Sequence, residues 1–536
     1  MMSADGRAHW LPDTSVPVLN TSVGQVLREA AMDVPDKEAL ISVAPDRPTR
    51  TWTYAELLAD AERTAAWLSE RFQPGEHIAV WAPNVPEWVL LQYGAAIAGL
   101  VLVTVNPALR GPELEHALES SHSVGFFYVG SFRGTDMSAI ASEVLPAVPR
   151  VREPFRLETL GHAIVDHPAG GDFPVIDPAS PTQIQFTSGT TGRPKPAVLT
   201  HAAMVTNAAH VRDRCGVAPA ATYGTALPLF HTAGCGLAGI GSFYHRATWV
   251  LAELFDPETV LRTIEEHRVV AFGGVPAMLH ALLAFREKMG ADTSSIEVLM
   301  SGGDAVPPAL INAWRATGVR GISAVYGQTE LSPIVCQTAP SDALDDVLYT
   351  AGLPLPQTEV AIVDPISERV VEPGEEGEIR VRGYLVMQKY FGMPEATARS
   401  IDEEGWLRTG DLGNIDARGY VTVTGRLKDM IIRGGENLYP REIEDTLAEH
   451  PSIAQAAVVG MDDEQWGETV AAVLTLEDSA EAVDSAALRS WVRERLAPQK
   501  TPADWFVADS LPTNAMGKLQ KFRLKEQIAA GGLRRL

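Results

Sequence analysis

The sequence holds only three cysteines, Cys215, Cys235 and Cys336, in 536 residues. None falls in a CxxC or Cys/His ligand spacing, which argues against a disulfide framework or a zinc site and suits a reducing cytoplasm. Basic residues are short as well: 44 Lys and Arg face 68 Asp and Glu, a net charge of −24. That balance sets aside nucleic acid and anionic membrane as partners. The opening MMSADGRAHW has neither the basic segment nor the apolar run of a signal peptide. One apolar stretch, Trp88 to Val105, is interrupted by Gln92, Gly94 and Gly99 and ends Val-rich. It reads as a buried helix and a buried strand, with no transmembrane segment.

What remains is ordinary in proportion, with 46% hydrophobic and 21% charged residues, the make-up of a globular protein. The length exceeds what one core organises, so several units are expected. The run Thr51-Trp-Thr-Tyr-Ala-Glu-Leu opens a helix through Leu68, and His77–Trp81 is a short strand before a turn at Ala82-Pro-Asn. Strand-like and helical runs alternate over residues 76–330, which predicts parallel α/β layers. From about Ser341, short strands such as Val360–Asp364 and Gly377–Arg382 predict a small β-rich unit. Beyond about residue 430 the pattern is compact α+β: a helix near Pro440–His450, strands at Ala454–Val459 and Val470–Leu476, and a helix at Ser485–Leu496. A hinge is placed at Gly425–Asp429, between these last two pieces.

The strongest local signal is Phe186-Thr187-Ser188-Gly189-Thr190-Thr191-Gly192-Arg193-Pro194-Lys195. Glycines and hydroxyl residues let N–H and O–H groups close around an anion, and the lysine adds a point charge. The strand-like Ile184-Gln-Phe fixes one end. It is not a Walker loop, because Gly192 stands three residues before Lys195 and Pro196 follows. The plain alternative is a Ser/Gly surface turn, which three Thr, one Ser, two Gly and one Lys within nine residues outweigh. A second pattern, Gly234-Cys-Gly236-Leu-Ala-Gly239, matches GxGxxG by letter but follows Pro228-Leu-Phe-His231-Thr rather than a strand end. A tightly packed small-residue helix is expected there.

The Phe186–Lys195 segment resembles the signature of the adenylate-forming superfamily, which contains acyl-CoA synthetases, luciferases and the adenylation domains of peptide synthetases. The resemblance implies that Thr187, Ser188, Gly189, Thr190, Thr191, Gly192 and Lys195 hold the β- and γ-phosphates of ATP. The chain departs from the family at Pro196, where Gly is common. Two later segments, Ser301-Gly302-Gly303-Asp304 and Tyr326-Gly327-Gln328-Thr329-Glu330, each follow an apolar run. A Gly pair admits a flat ring to the backbone, a tyrosine offers a stacking face, and a carboxylate suits Mg²⁺. Either alone reads as a turn. In this order they resemble the family's nucleotide site, with Gly302, Gly303 and Tyr326 at adenine, Thr329 at the α-phosphate and Glu330, the metal ligand, as a catalytic residue with Thr187. Thr409-Gly410-Asp411 and Gly425-Arg426 complete the signature, with Asp411 and Arg426 on the ribose. Pro228-Leu-Phe-His231 resembles the acyl-pocket motif, His231 lining the entry of the carboxylate. No aspartate stands between Ala226 and Gly241 to pair with an amino group, which disfavours an amino acid.

Leu511-Pro-Thr-Asn-Ala-Met-Gly517-Lys518 resembles the late motif whose lysine reaches the α-phosphate and carboxylate, with Thr513 where the family often has Arg. A lone lysine there is by default a solvated surface charge. Arg426-Leu-Lys428-Asp429 resembles the family hinge, with Lys428 as pivot, and Gly434-Gly435 the lining of a pantetheine tunnel. The implied architecture is α/β: an N-terminal domain of layered subdomains with a β-barrel-like subdomain (1–425), a hinge (426–429) and a small mobile α+β domain (430–536). The implied activity joins a fatty or aryl carboxylic acid to coenzyme A through an acyl-AMP, using ATP and Mg²⁺, in a cytoplasmic monomer or homodimer. The acceptor stays open between CoA and a carrier-protein thiol, an amine or a diazotase-like oxyanion chemistry. A luciferase-type oxygenase has no positive feature, and Lys195, Glu330, Asp411 and Lys518 weigh against a non-catalytic scaffold.

Overall fold

In the computed structural model, the described residues are 1–3, 5–187, 194–433, 436–463, 465–477, 483–513 and 519–536. They pack as two compact units, one of residues 1–361, 380–409 and 416–421, the other of residues 362–379, 410–415 and 422–536.

The first unit is built on two sheets. Its helix Tyr54–Ser69 starts where Thr53 and Glu56 close a capping box, two otherwise orphan N–H groups satisfying each other's side chains. The helix Pro86–Ala98 has proline in its first turn and ends at Gly99 in the left-handed region. All but one of its residues are buried, and the strand Val101–Val105 that follows is buried throughout. The apolar stretch is therefore interior, and no described helix is long and apolar enough to cross a membrane. That strand lies centrally in a seven-stranded sheet, ordered Lys389–Tyr390, Lys195–Thr200, Pro181–Thr187, Val101–Val105, His77–Trp81, Gly125–Tyr128 and Glu153–Arg156. Strands from Pro181–Thr187 to Glu153–Arg156 run parallel, while Lys195–Thr200 turns back antiparallel.

The nine-stranded sheet has six adjacent parallel strands, Gly321–Gly327, Val298–Gly302, Ala271–Gly273, Tyr223–Thr225, Trp249–Ala252 and Glu38–Val43. Helices Pro257–Glu266, Pro276–Met289 and Pro308–Ala316 connect them, burying Leu261, Leu279, Leu282 and Trp314 against Phe272, Leu299 and Ile322. After Tyr223–Thr225 the chain forms Trp249–Ala252 on one side of it and then Ala271–Gly273 on the other. A parallel sheet that reverses its strand order in this way leaves a crevice at the carboxyl ends of its strands. The stretch after Ser341 is β-rich, with strands Thr358–Val363, Gly377–Gly383, Leu407–Ile415 and Val421–Arg426 beside two short helices, Leu344–Tyr349 and Pro394–Ser400.

The second unit centres on the antiparallel pair Ile453–Asp463 and Gly467–Leu476. Alternate side chains take opposite faces of a strand. Val458, Val470, Ala472 and Leu474 pack with helices Pro440–Ala448 and Ser485–Arg493 through Ile443, Leu447, Leu488 and Val492. Ala457, Val459, Ala471 and Val473 face Leu524 of helix Lys521–Ala529 instead. The predicted α+β piece is present, its elements within a few residues of the expected bounds.

Candidate active site

The phosphate-loop segment sits between two strands that pair with each other. Pro181–Thr187 and Lys195–Thr200 are antiparallel, with Thr187 opposite Lys195 and Phe186 opposite Pro196. Directly opposed residues point to the same face, so Thr187 and Lys195 share one side of the sheet. The sequence anticipated a strand at one end only. Ser188, Gly189, Thr190, Thr191 and Gly192 lie outside the described residues. Pro196 costs the pairing with Pro181–Thr187 no hydrogen bond. Its carbonyl accepts from Phe391 N at 2.8 Å, and the N and C=O of one strand residue point the same way. The missing N–H therefore falls toward the two-residue strand Lys389–Tyr390, not toward Pro181–Thr187.

Lys195 and Glu330 are brought together by a residue the motifs did not single out, Tyr390. The Tyr390 hydroxyl donates to Glu330 Oε1 at 2.7 Å, and Lys195 Nζ lies 4.1 Å from the centre of the Tyr390 ring. Strand pairing explains the meeting: Tyr390 is opposite Ala197, and the short helix Thr329–Leu331 packs on both strands of the hairpin. Glu330 and Tyr390 are buried. Burial lowers the Lys195 ammonium from its ordinary value, an effect the Glu330 charge partly offsets. Burial raises the Tyr390 phenol far above its ordinary value, and the neighbouring carboxylate adds to the rise. Thr187 Oγ1 is buried and makes no hydrogen bond among the described residues. A buried hydroxyl without a partner is costly, so this position suits an incoming acceptor such as a phosphate oxygen.

The other predicted groups of this unit converge on the carboxyl ends of the parallel strands. Gly302 ends Val298–Gly302, and Tyr326 and Gly327 end Gly321–Gly327, with Gly302 in register with Val325. A side chain on Gly302 would strike the Val325 carbonyl, and Gly303 takes a φ of +80°. The pair is thus fixed as glycine by close approach and by backbone angle. Asp304 is exposed and caps its own turn through Ala305 N at 2.8 Å. Tyr326 and Thr329 are half-buried, and Gln328 Nε2 donates to Thr409 O at 3.4 Å.

His231 belongs to the same edge, six residues beyond the end of Tyr223–Thr225. Its carbonyl accepts from Gly234 N and Cys235 N at the start of a π-helix, Ala233–Ile240. The GxGxxG look-alike is therefore a packed helix of small residues, as expected; a side chain at Gly234 would strike the Pro228 carbonyl. The segment before His231 is clamped by Asn84, a buried residue that the sequence showed only as part of a turn. Asn84 Nδ2 donates to Leu227 O at 3.1 Å and to Ala252 O at 3.2 Å, and Leu229 N donates to Asn84 Oδ1 at 2.8 Å. Thr104 Oγ1 adds a bond to Phe230 O at 2.9 Å.

In the second unit, Arg426 Nε lies 3.3 Å from Asp411 Oδ1, so the two predicted ribose residues meet. Gly410 N donates to Glu378 Oε1 at 3.2 Å. Lys428 is exposed in the one-turn helix Leu427–Asp429 directly after the strand Val421–Arg426. Gly434, Gly435 and Lys518 lie outside the described residues. The flanking residues do pair, Arg433 with Glu436 and Thr513 with Leu519.

The family model for AMP-binding enzymes matches residues 27–391, and that for the AMP-binding enzyme C-terminal domain matches residues 442–518. The chain belongs to the AMP-binding enzyme family. This AMP-binding enzyme is 36% identical to a feruloyl-CoA synthase of Amycolatopsis over 477 residues, covering 89% of this chain and 94% of the relative. It is 32% identical to a mitochondrial medium-chain acyl-CoA ligase of Mus musculus, covering 96% and 89%. Among solved structures, the o-succinylbenzoate CoA synthetase of Bacillus subtilis, in complex with its acyl-adenylate intermediate, superposes with a TM-score of 0.82 at 31% identity, covering 95% and 98%.

Proposed function

We propose that this AMP-binding enzyme is an ATP-dependent acid:CoA ligase acting on a fatty or aryl carboxylic acid. The observation that carries the reading is the convergence of Thr187, Lys195, Glu330, Gly302, Tyr326 and His231, from four separate segments, on one unit's phosphate hairpin and strand ends. The relatives that span nearly the whole chain are named as CoA ligases, which favours CoA over the other acceptors.

In the first half-reaction a carboxylate oxygen attacks the α-phosphorus of ATP, the bond to the β-phosphate bridging oxygen breaks, and pyrophosphate leaves with the electron pair. Two anions are brought together, so the barrier falls where cations are fixed in advance. Lys195 and Thr187 serve the β- and γ-phosphates, Thr329 the α-phosphate, Gly302, Gly303 and Tyr326 the adenine, and Asp411 with Arg426 the ribose. Lys518 supplies the cation at the attacked phosphorus. In the second half-reaction the CoA thiolate attacks the acyl carbonyl and AMP departs, with Lys428 as pivot and Gly434 and Gly435 lining the thiol's path. The working division is 1–425, 426–429 and 430–536.

The residues fit a magnesium ion. Glu330 offers a hard oxygen: Tyr390 occupies Oε1, and Oε2 has no hydrogen bond among the described residues. Those residues contain no cluster of three His, Cys, Asp or Glu side chains, so the remaining ligands would be phosphate and water oxygens, the usual habit of Mg²⁺. When bound, the ion would neutralise charge on the phosphates. The three buried thiols support a reducing cytoplasm. A panel of fatty and aryl acids, scored for pyrophosphate release with and without CoA, tests the whole reading. Sustained turnover that requires CoA is expected; sustained turnover without it would show a different acceptor.

A further inference from the structure

We propose that Tyr390 is a positioning residue of the phosphate site, holding Lys195 and Glu330 separately so that each stays available to MgATP. The inference rests on the ligase reading above and adds to it a residue that sequence motifs did not supply. Lys195 and Glu330 carry opposite charges in a region largely removed from water, where such charges attract strongly. Left alone they would form an ion pair and satisfy each other, and nucleotide and metal would then have to break that pair. The geometry shows another arrangement. The Glu330 carboxylate meets the edge of the tyrosine through its hydroxyl at 2.7 Å, and the Lys195 ammonium meets the ring face at 4.1 Å from its centre. The hydroxyl takes one carboxylate oxygen and fixes the direction of the other. A cation–π contact seats an ammonium while leaving its hydrogen-bond donors free to turn to a phosphate.

Tyr390 is itself held from both sides. Its backbone N donates to Thr397 Oγ1 at 3.0 Å, its strand pairs with Lys195–Thr200, and the side chain is buried. The Glu330 carbonyl accepts from Met387 N at 2.8 Å, which ties the metal candidate to the same stretch of chain. The plain alternative is a core tyrosine whose hydroxyl has merely found a partner. The two accounts differ in what a missing hydroxyl does to metal-dependent nucleotide binding.

The test is calorimetric titration of the full-length protein with ATP, without acid substrate, with and without Mg²⁺, for wild type, Tyr390→Phe and Tyr390→Leu. In Tyr390→Phe the ring still seats Lys195, so Mg-free ATP affinity stays within about twofold while the gain on adding Mg²⁺ shrinks about tenfold, the usual reach of one charge-assisted bond. In Tyr390→Leu the Mg-free affinity falls as well, about tenfold, because Lys195 pairs with Glu330. Tyr390→Phe removes a single oxygen from a packed ring and carries the test should Tyr390→Leu not fold. A full magnesium gain in Tyr390→Phe, with only the thermal midpoint lowered, overturns this inference and leaves the ligase reading intact. A wild type with no magnesium gain overturns the metal assignment of Glu330 and this inference with it, whereas pyrophosphate release from the acid panel judges the ligase reading independently.

Discussion

Replacing Asn84 with alanine should damage acid use far more than nucleotide use. Its amide makes three bonds to backbone groups, two to the segment that leads into His231 and one to Ala252. Leu229 is fully buried and Asn84 is 6% exposed, so water cannot replace the lost partners without the structure opening. Each buried backbone group left unpaired costs about 1–3 kcal/mol. Partial relaxation keeps the total below the sum of three, so a loss of about 3 kcal/mol in unfolding free energy is expected. His231 follows Leu229 by two residues, and a displacement of about 1 Å at a reacting group costs roughly a hundredfold in rate. We expect kcat/KM for the acid to fall by about tenfold or more, with KM for ATP within about twofold because the Asn84 bonds go to Leu227, Leu229 and Ala252 and to none of the nucleotide residues. Urea unfolding and initial-rate kinetics measure both quantities. Asn84→Asp, which keeps the shape but sets a buried carboxylate oxygen against the Leu227 and Ala252 carbonyls, should do no better than alanine in acid kinetics. A variant that loses less than about 1 kcal/mol, or that loses acid and ATP use equally, would refute the clamp.

Lys518→Ala should abolish acid-dependent pyrophosphate exchange yet leave thioester formation from preformed acyl-AMP largely intact; equal loss of both half-reactions would remove the two-conformation account. His201 should make stability depend on pH. Burial pushes its imidazole down to about 4, and its Nδ1 accepts from Val23 N at 3.3 Å. The unfolded chain takes up the proton near the ordinary value of 6.5 and the folded chain resists it, so this contribution is present above 6.5 and is lost as pH falls toward 4. Between pH 7 and pH 5 it is worth about 2 kcal/mol. Urea midpoints at both pH values should fall further in wild type than in His201→Gln, and parallel falls would refute the assignment.

The sequence by itself determined the local motifs that neighbouring residues spell out. Thr187 and Lys195 with the glycines between them, Gly302-Gly303, Tyr326 to Glu330, and Asp411 fall in short runs, and their roles are what the resemblance of those runs, in this order, to the family implies. The helix opening within Thr51–Leu57 was legible for the same reason, and its cap, Thr53 with Glu56, is a contact only three residues long. Two C-terminal helices and two strands were read from the sequence and needed only small changes at their ends, whereas helix Lys521–Ala529 and strand Asp504–Val507 were not foreseen. Tyr390 and Asn84 were not legible as site residues. A tyrosine in a short β run reads as core, and an asparagine after proline reads as turn. Their roles come from pairing across long separations, Tyr390 with Glu330 over 60 residues and Asn84 with Leu229 over 145. Only the tertiary structure decided those partners, because strand order and register are set by the burial of whole sheets, and no local spacing encodes which strand lies next to which.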